Sequence, residues 1–394
     1  MQAIREAQQN EYLKYFETDP ARFHFPGGDV TLFDKLFSEL DAAMEKPMRI
    51  VHYGDSQIEE DRVTSTIRAF FQKRFGGGGP GLVPVQKKYF SYSIGESSST
   101  TPRKYIVYGP SDMRAGVNTY GPAGRIDRID SVTAVTFYPV KSNEAPSRYF
   151  NRLTVLSGNL RSPLSVSMGK DKRSVEAGSN VNRTVFNLAD STTRTTVTLA
   201  GHADIYGIML DCDKGVSMDN VAMRGCSGSI FTSINAEQLR DYYRQGNVRL
   251  IILQYGGNTV PYLKTDKGIS DYKGKIVKQI NYLKGLAPDA TFIFIGPSDM
   301  STNIQGRMQT YPKLPAIVDS LRSAANEAGA VFWDMYSAMG GENSMPKWVK
   351  ASPSLAGGDY VHFTPRGAEN MGNMFCESMM LYYEYYKWRK ENEE

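Results

Sequence analysis

MRIVHYGDS, residues 48–56, is a short apolar run that ends in glycine and small polar residues, the pattern of a buried strand opening onto a functional loop. EEDRVTSTIRAFFQKRF at 59–75 follows, with Val63, Ile67, Phe70, Phe71 and Phe75 at helical spacing and acidic residues at the start, where they suit a helix N-terminus. Strand, loop and helix therefore succeed one another. The same rhythm returns beyond residue 215. NVRLIILQYGGN (247–258) carries Leu250, Ile251, Ile252 and Leu253, a strand apolar on both faces, as a sheet covered by helices on both sides demands. DYKGKIVKQINYLKGLAP (271–288) predicts the next helix, ATFIFIGP (290–297) a strand, LPAIVDSLRSAANEAG (314–329) a helix and AVFWDMY (330–336) another strand. Residues 366–390 close the series as a helix whose Met371, Met374, Phe375, Met379 and Tyr383 form a core-packing stripe.

Between these two stretches the texture changes. SVTAVTFYPV (131–140), RLTVLSG (152–158), PLSVSMG (163–169), RTVFNL (183–188) and TTVTLAG (195–201) are short runs rich in Val, Thr and Phe, separated by turn residues and without an amphipathic helix among them. Strands without crossover helices favour an antiparallel sandwich. The expected organisation is a discontinuous α/β layer domain, residues 1–84 and 216–394, with an all-β domain at 85–215 looped out of it. Such an insertion leaves the host core intact when its two ends lie close together.

The 394 residues correspond to two or three domains at the usual ~150 residues each, and 41% hydrophobic with 22% charged content describes a folded chain. Forty-six Lys and Arg against 42 Asp and Glu leave a formal charge of +4, too little over this length to point to nucleic acid or an anionic membrane. No run approaches the 18 or so apolar residues of a membrane-spanning helix, and MQAIREAQQNEYLKYF reads as the start of a helix rather than as an export signal. Three cysteines, Cys212, Cys226 and Cys376, give neither a disulfide framework nor a metal-ligand spacing; Cys212 with Cys226 is the one candidate bridge, against separate buried thiols.

Chemistry concentrates at four places. Ser56 lies just beyond a parallel strand, at the carboxyl rim where open sheets bind ligands, and Gly54 permits the tight turn that exposes its hydroxyl. Asp359 and His362 stand three apart in GGDYVHFTPRG (357–367), so one loop can supply both a base for a serine nucleophile and the carboxylate that fixes the base's tautomer. Asn258 follows another buried strand and can donate its amide to a developing oxyanion. Gly228 in VAMRGCSGSIF (221–231), or less favourably Gly225, can present a backbone N–H to the same oxygen. Of the other histidines, His52 reads as a satisfied core residue inside its strand, His202 as structural or surface, and His24 has no acidic neighbour of obvious purpose. Glu59, Glu60 and Asp61 are expected to be solvated charges at a helix start rather than glycosidase acids.

Taken in chain order, GDSQ (54–57), GCSG (225–228), GGN (256–258) and DYVH (359–362) resemble the sequence blocks of the SGNH hydrolases, also called GDSL esterases. That resemblance implies a flavodoxin-like three-layer α/β/α domain. It matches Ser56 to the nucleophile, His362 to the general base and acid, Asp359 to its orienting carboxylate, and Ser56, Gly228 and Asn258 to the oxyanion hole, with no metal and no organic cofactor. VHYGDSQIEEDRVTSTIRAFFQKRFGGGGPGLVP (51–84), the β-rich insertion and VSMDNVAMRGCSG (216–228) are similar, more narrowly, to peptidoglycan O-acetylesterases and related bacterial carbohydrate esterases. There the inserted module resembles a carbohydrate-binding β-sandwich. The implied partner is an acetylated glycan, and the implied compartment is the periplasm, cell envelope or exterior. Two departures stand out: the serine block reads GDSQ rather than GDSL, and Arg224 precedes GCSG where relatives often carry asparagine.

Competing motifs fail on context. Gly76, Gly78 and Gly81 satisfy G-x-G-x-x-G but follow a helix instead of a strand, and the G-x-S-x-G elbow is absent. GPSDM occurs at 109–113, where a turn is expected, and at 296–300, where Ser298 is a minor rival nucleophile and Asp299 a candidate sugar contact. Two other functions share these residues: a noncatalytic glycan-binding protein that retains the fold, and an O-acetyltransferase that passes the acyl group to a sugar hydroxyl instead of water.

Overall fold

The computed structural model describes residues 2–87, 89–142, 146–177 and 181–392. Its central sheet runs, in spatial order, Phe23–His24, Val331–Trp333, Thr291–Ile295, Val248–Gln254, Met48–Gly54 and Val216–Ala222. All neighbours are parallel except the short first strand, which pairs antiparallel with Val331–Trp333. Numbered by chain position, the five parallel strands follow the order 2-1-3-4-5 of flavodoxin-type sheets, whose direction of winding reverses between strands 1 and 3.

Every residue of Met48–Gly54 is buried because helices cover both faces. Alternate residues serve the two sides. Ile50, Leu250, Ile252 and Ile293 pack with Ile67 and Phe71 of helix Thr64–Phe75 and with Met371, Phe375 and Met379 of helix Pro365–Asn392. Val51, Tyr53, Ile251 and Leu253 pack instead with Leu239, Ile276, Ile280 and Leu321 from helices Ala236–Gln245, Asp266–Leu286 and Leu314–Glu327. This is a three-layer arrangement.

Residues 81–211 build two antiparallel sheets. One runs Asp171–Val175, Leu164–Met168, Thr195–Ala200, Thr133–Tyr138 and Gly95–Ser98; the other runs Asn182–Thr192, Phe150–Gly158, Ala203–Asp211, Arg125–Ile129 and Arg103–Ile106. Gly81–Val83, ahead of residue 85, joins the second sheet by pairing with Ala203–Asp211. Val135, Phe137, Val166, Val197 and Leu199 from the first sheet share one buried cluster with Leu153, Val155, Phe186, Ile205 and Ile208 from the second.

The glycine run 76–81 explains itself here. The Val216 N–H donates to the Gly76 carbonyl at 2.9 Å, and a Cβ on Gly77 would lie 2.3 Å from the Val216 carbonyl oxygen. A Cβ on Gly215 would lie 2.2 Å from the Gly76 carbonyl carbon. Outgoing and returning chain thus touch backbone to backbone, an approach that glycine alone permits.

Two local readings change. Asp334 ends the strand Val331–Trp333 by capping a short helix, Met335–Ala338, through the Ser337 N–H at 2.9 Å, so DMY is not strand. The acidic residues after Ser56 do not open the helix either. Ser56–Asp61 is a 3-10 turn, and Glu60, Asp61 and Val63 take φ of 65°, 68° and 60°, left-handed geometry that side chains resist. Asp61 is held there by the fully buried Arg68, whose guanidinium meets both carboxylate oxygens at 2.6 and 3.0 Å while its Nε donates to the Met218 carbonyl at 2.8 Å. Cys212, Cys226 and Cys376 are all free thiols, so the candidate bridge does not form.

Breaking a buried pair strands a charge, whereas an exposed pair contributes little. Arg68→Met is therefore expected to lower stability in urea by about 3–5 kcal/mol. Lys267→Met, which removes the exposed Lys267–Asp271 pair, should change it by less than ~0.5 kcal/mol. Equal midpoints for the two variants would refute this account of the turn.

Candidate active site

At the carboxyl ends of strands 1 and 3, the point where the winding reverses, Gly54 stands beside Gln254 on one side and Ala222 on the other. Open sheets place their crevice there. Asp55 turns the chain out of the strand, its side chain accepting the Gln57 N–H at 3.0 Å, and Ser56 follows at the head of the 3-10 turn. The Ser56 Oγ lies 2.8 Å from His362 Nε2, and His362 Nδ1 lies 2.7 Å from Asp359 Oδ2. Serine, imidazole and carboxylate form one chain of contacts across 306 residues.

The histidine loop is rigid by local design. Asp359 Oδ1 accepts the backbone N–H groups of Val361 and His362 at 3.0 and 3.1 Å, so the carboxylate that meets the ring also shapes the turn beneath it. Partial burial pushes the Asp359 carboxyl upward, but these donors and the imidazole outweigh it and hold it below the usual carboxylate range. It therefore stays ionised at neutral pH. Gln57, the residue that departs from GDSL, ties the two loops together: its Nε2 donates to the Val361 carbonyl at 2.6 Å and reaches Ser298 Oγ at 3.4 Å.

Asn258 Nδ2 lies 3.1 Å from both Asp55 Oδ2 and the Cys226 carbonyl oxygen. The Gly228 N–H points to Cys226 Sγ at 3.4 Å; Gly228 has φ of 80°, and a Cβ there would lie 2.8 Å from the Tyr255 ring. The two residues expected as donors to an oxyanion thus converge on one residue, Cys226, in the loop that follows Ala222. Gly225, the weaker alternative, has φ of 79° and open space around it.

Asp55 joins the site without having stood out in the sequence: its side chain accepts the Gln57 N–H and meets the Asn258 amide. It is buried, and burial raises its carboxyl to about 6 despite the Gln57 N–H, the charge of His362 and the Asn258 amide, which act in the other direction. The clue lay inside GDS itself, but its partner is 203 residues away. Cys226 was also unforeseen in this role.

The remaining candidates fall elsewhere. His52 is a core residue, its Nε2 3.1 Å from Gln254 Oε1 and its Nδ1 2.9 Å from Thr64 Oγ1, and burial lowers it to about 4. His24 pairs with Phe332 in the edge strand, and His202 sits exposed 3.6 Å from Asp130. Asp299 is fully buried and accepts from Thr310 Oγ1 at 2.7 Å and the Met345 N–H at 2.8 Å, so it anchors two loops rather than facing a sugar. Ser298 is buried, its Oγ 3.4 Å from Gln57 Nε2. Among the described residues no group of three or more His, Cys, Asp and Glu is placed to hold a metal ion, and no helix is long and apolar enough to cross a membrane.

This sheet order is the flavodoxin-like α/β/α arrangement that the sequence blocks led one to expect. Among solved structures, a peptidoglycan O-acetylesterase superposes with a TM-score of 0.75 at 20% identity, covering 92% of this chain and 99% of its own. The chain has the fold of that protein along nearly its whole length. A Corynascus thermopiles (Myceliophthora fergusii) carbohydrate esterase of family 2 with its carbohydrate-binding domain aligns at 14% identity over 68% of this chain and 98% of its own, with a TM-score of 0.30. A family two carbohydrate esterase from Cellvibrio japonicus aligns at 11% over 74% and 99%, also at 0.30. No protein-family model and no curated protein matches the sequence.

The Asp55 carboxyl carries a pH dependence whose sign follows from its raised value. The folded state holds this proton more tightly than the unfolded chain, so the contribution is fully favourable below the unfolded value of 3.8 and is lost as pH rises through about 6. Measured against Asp55→Asn, wild-type stability should decline by on the order of 2–3 kcal/mol between pH 4 and pH 7. A difference that stays flat or grows across this range would place the carboxyl in a less buried, unshifted setting.

Proposed function

We propose that the chain is a serine esterase that removes O-acetyl groups from a bacterial cell-wall glycan or other polysaccharide through an acyl-enzyme. The observation that carries this reading is the unbroken contact from Ser56 Oγ through His362 to Asp359, with an ionised carboxylate at its end. The fold shared with a peptidoglycan O-acetylesterase supports the choice of ester.

His362 Nε2 takes the proton of Ser56 Oγ as the oxygen attacks the acetyl carbonyl, while Asp359 fixes the tautomer with the proton on Nδ1 and stabilises the imidazolium. The carbonyl oxygen becomes anionic and exchanges for Cys226 as acceptor of the Gly228 N–H and of one Asn258 amide hydrogen, with the Ser56 N–H as the third donor. Asp55 retains the other amide hydrogen of Asn258 and so keeps the side chain aimed. His362 then gives its proton to the departing sugar hydroxyl. Water, deprotonated by the same imidazole, attacks the acetyl-serine, and acetate leaves with Ser56 restored. In this reading residues 1–84 and 216–394 are the catalytic domain and 85–215 a carbohydrate-binding-like module, and the substrate places the protein at the cell envelope.

The test is acetate release from O-acetylated peptidoglycan by purified wild type and Ser56→Ala, with acetyl groups on glycan acceptors counted in parallel. Wild type should release acetate, and the variant should fall by at least ~10³-fold with its fold unchanged by circular dichroism. A folded Ser56→Ala protein that kept wild-type release would overturn the assignment. Acetyl groups appearing on an added glycan in place of free acetate would identify a transferase.

A further inference from the structure

Arg224 is one of the two residues by which this chain departs from its resemblance, and the structure ties it to the turn that Ser56 opens. The Met223 N–H donates to the Gly54 carbonyl at 2.7 Å, two residues before Ser56, and Arg224 follows directly, one residue ahead of the Gly225–Gly228 loop. Its Nη1 donates to Glu59 Oε2 at 2.5 Å; Glu59 belongs to the same 3-10 turn that Ser56 opens. The guanidinium carbon sits 5.4 Å from the centre of the Tyr89 ring. These two contacts fix the orientation of a side chain that is otherwise 59% exposed.

A guanidinium has five N–H donors. Glu59 takes one, and among the described residues no protein acceptor takes the others. Arg224 also borders a cavity of about 300 Å³ between the catalytic loop and the antiparallel sheets, walled by Glu59, Tyr89, Phe90, Ile106 and Tyr108. Phe90 lines this cavity and is 57% exposed, so its ring is open to whatever enters. Aromatic walls accept the apolar faces of sugar rings, and a planar fork held ready at their edge matches a carboxylate in two parallel hydrogen bonds.

We propose that Arg224 and the Tyr89–Phe90 wall form a recognition site for an anionic sugar, whose carboxylate docks on the free edge of the Arg224 guanidinium while its ring lies in the cavity. The proposal deepens the esterase reading: it rests on that reading for the position of the acetyl group and makes the neighbouring negative charge part of what the enzyme selects. Glu59 serves as the strut that holds the fork in place.

The experiment uses the full chain carrying Ser56→Ala, so that bound ester survives, and titrates it calorimetrically with two compounds. One is an O-acetylated muramic-acid disaccharide with its lactyl carboxylate free, the other the same disaccharide with that carboxyl converted to an amide. Kd for the acid should be about tenfold lower than for the amide, the worth of a charge-assisted hydrogen bond. Adding Arg224→Gln should erase the difference, and Arg224→Lys, which keeps charge but loses the fork, should leave part of it. Equal affinities for acid and amide, a preference that survives Arg224→Gln, or no binding of either compound would each overturn the proposal. Failure of the esterase reading shows itself separately, as wild-type protein that discriminates between the two compounds but releases no acetate.

Discussion

Asp219 sits with no solvent exposure in the middle of the edge strand Val216–Ala222, and the geometry of the site depends on its being satisfied. Arg49 Nη1 reaches it at 2.5 Å, the Leu82 N–H at 2.8 Å, and the Tyr242 hydroxyl donates from a third side. Arg49 in turn pairs with Asp211 at the end of the antiparallel sheets. Removing a carboxylate from water costs several kcal/mol unless such partners are in place together. The cluster therefore demands one mutual arrangement of the strand Met48–Gly54, the edge strand, a covering helix and the strand Gly81–Val83. Three residues further along the same edge strand, Ala222 stands beside Gly54 and leads into the loop of Arg224, Cys226 and Gly228.

Above this base, the site brings together two carboxylates whose surroundings drive them in opposite directions. Asp359 is half-exposed, rich in donors and held ionised; Asp55 is buried and pushed up to about 6. Such divergence separates roles among chemically identical groups. Asp359 faces the imidazole, while Asp55 supports the amide of Asn258 and the turn that presents Ser56. Gln57 closes the arrangement by joining the Ser56 turn to the histidine loop through the Val361 carbonyl.

What was legible in the sequence was local. The alternation of apolar strands and amphipathic helices on either side of a β-rich stretch shows in residues adjacent in the chain, and so do the short blocks around Ser56, Asn258 and His362, which the structure brings to one rim. What escaped was written in pairs far apart. Glu59, Glu60 and Asp61 look like helix-start charges until Arg68 and Arg224 are seen to hold two of them, and Asp299 looks like a rim contact until Thr310 and Met345 are seen to enclose it. Asp334 was misread because its capping of the next helix outweighed the strand preference of its neighbours. The glycine run at 76–81 carried a strong signal whose cause, a backbone crossing with Gly215, no local pattern reveals.

That crossing also bears on how the chain reaches its fold. Pairing Met48–Gly54 with Val216–Ala222 closes a loop of roughly 160 residues, and a loop of that length delays the contacts it must bring together. If the antiparallel sheets collapse first, residues 76 and 215 already touch, and the parallel pairing then closes a loop of only about 22 residues, Gly54 to Gly76, which holds a single crossover helix. The central sheet can assemble as though the excursion were a tight turn, and its slowest step becomes the folding of the module that interrupts it.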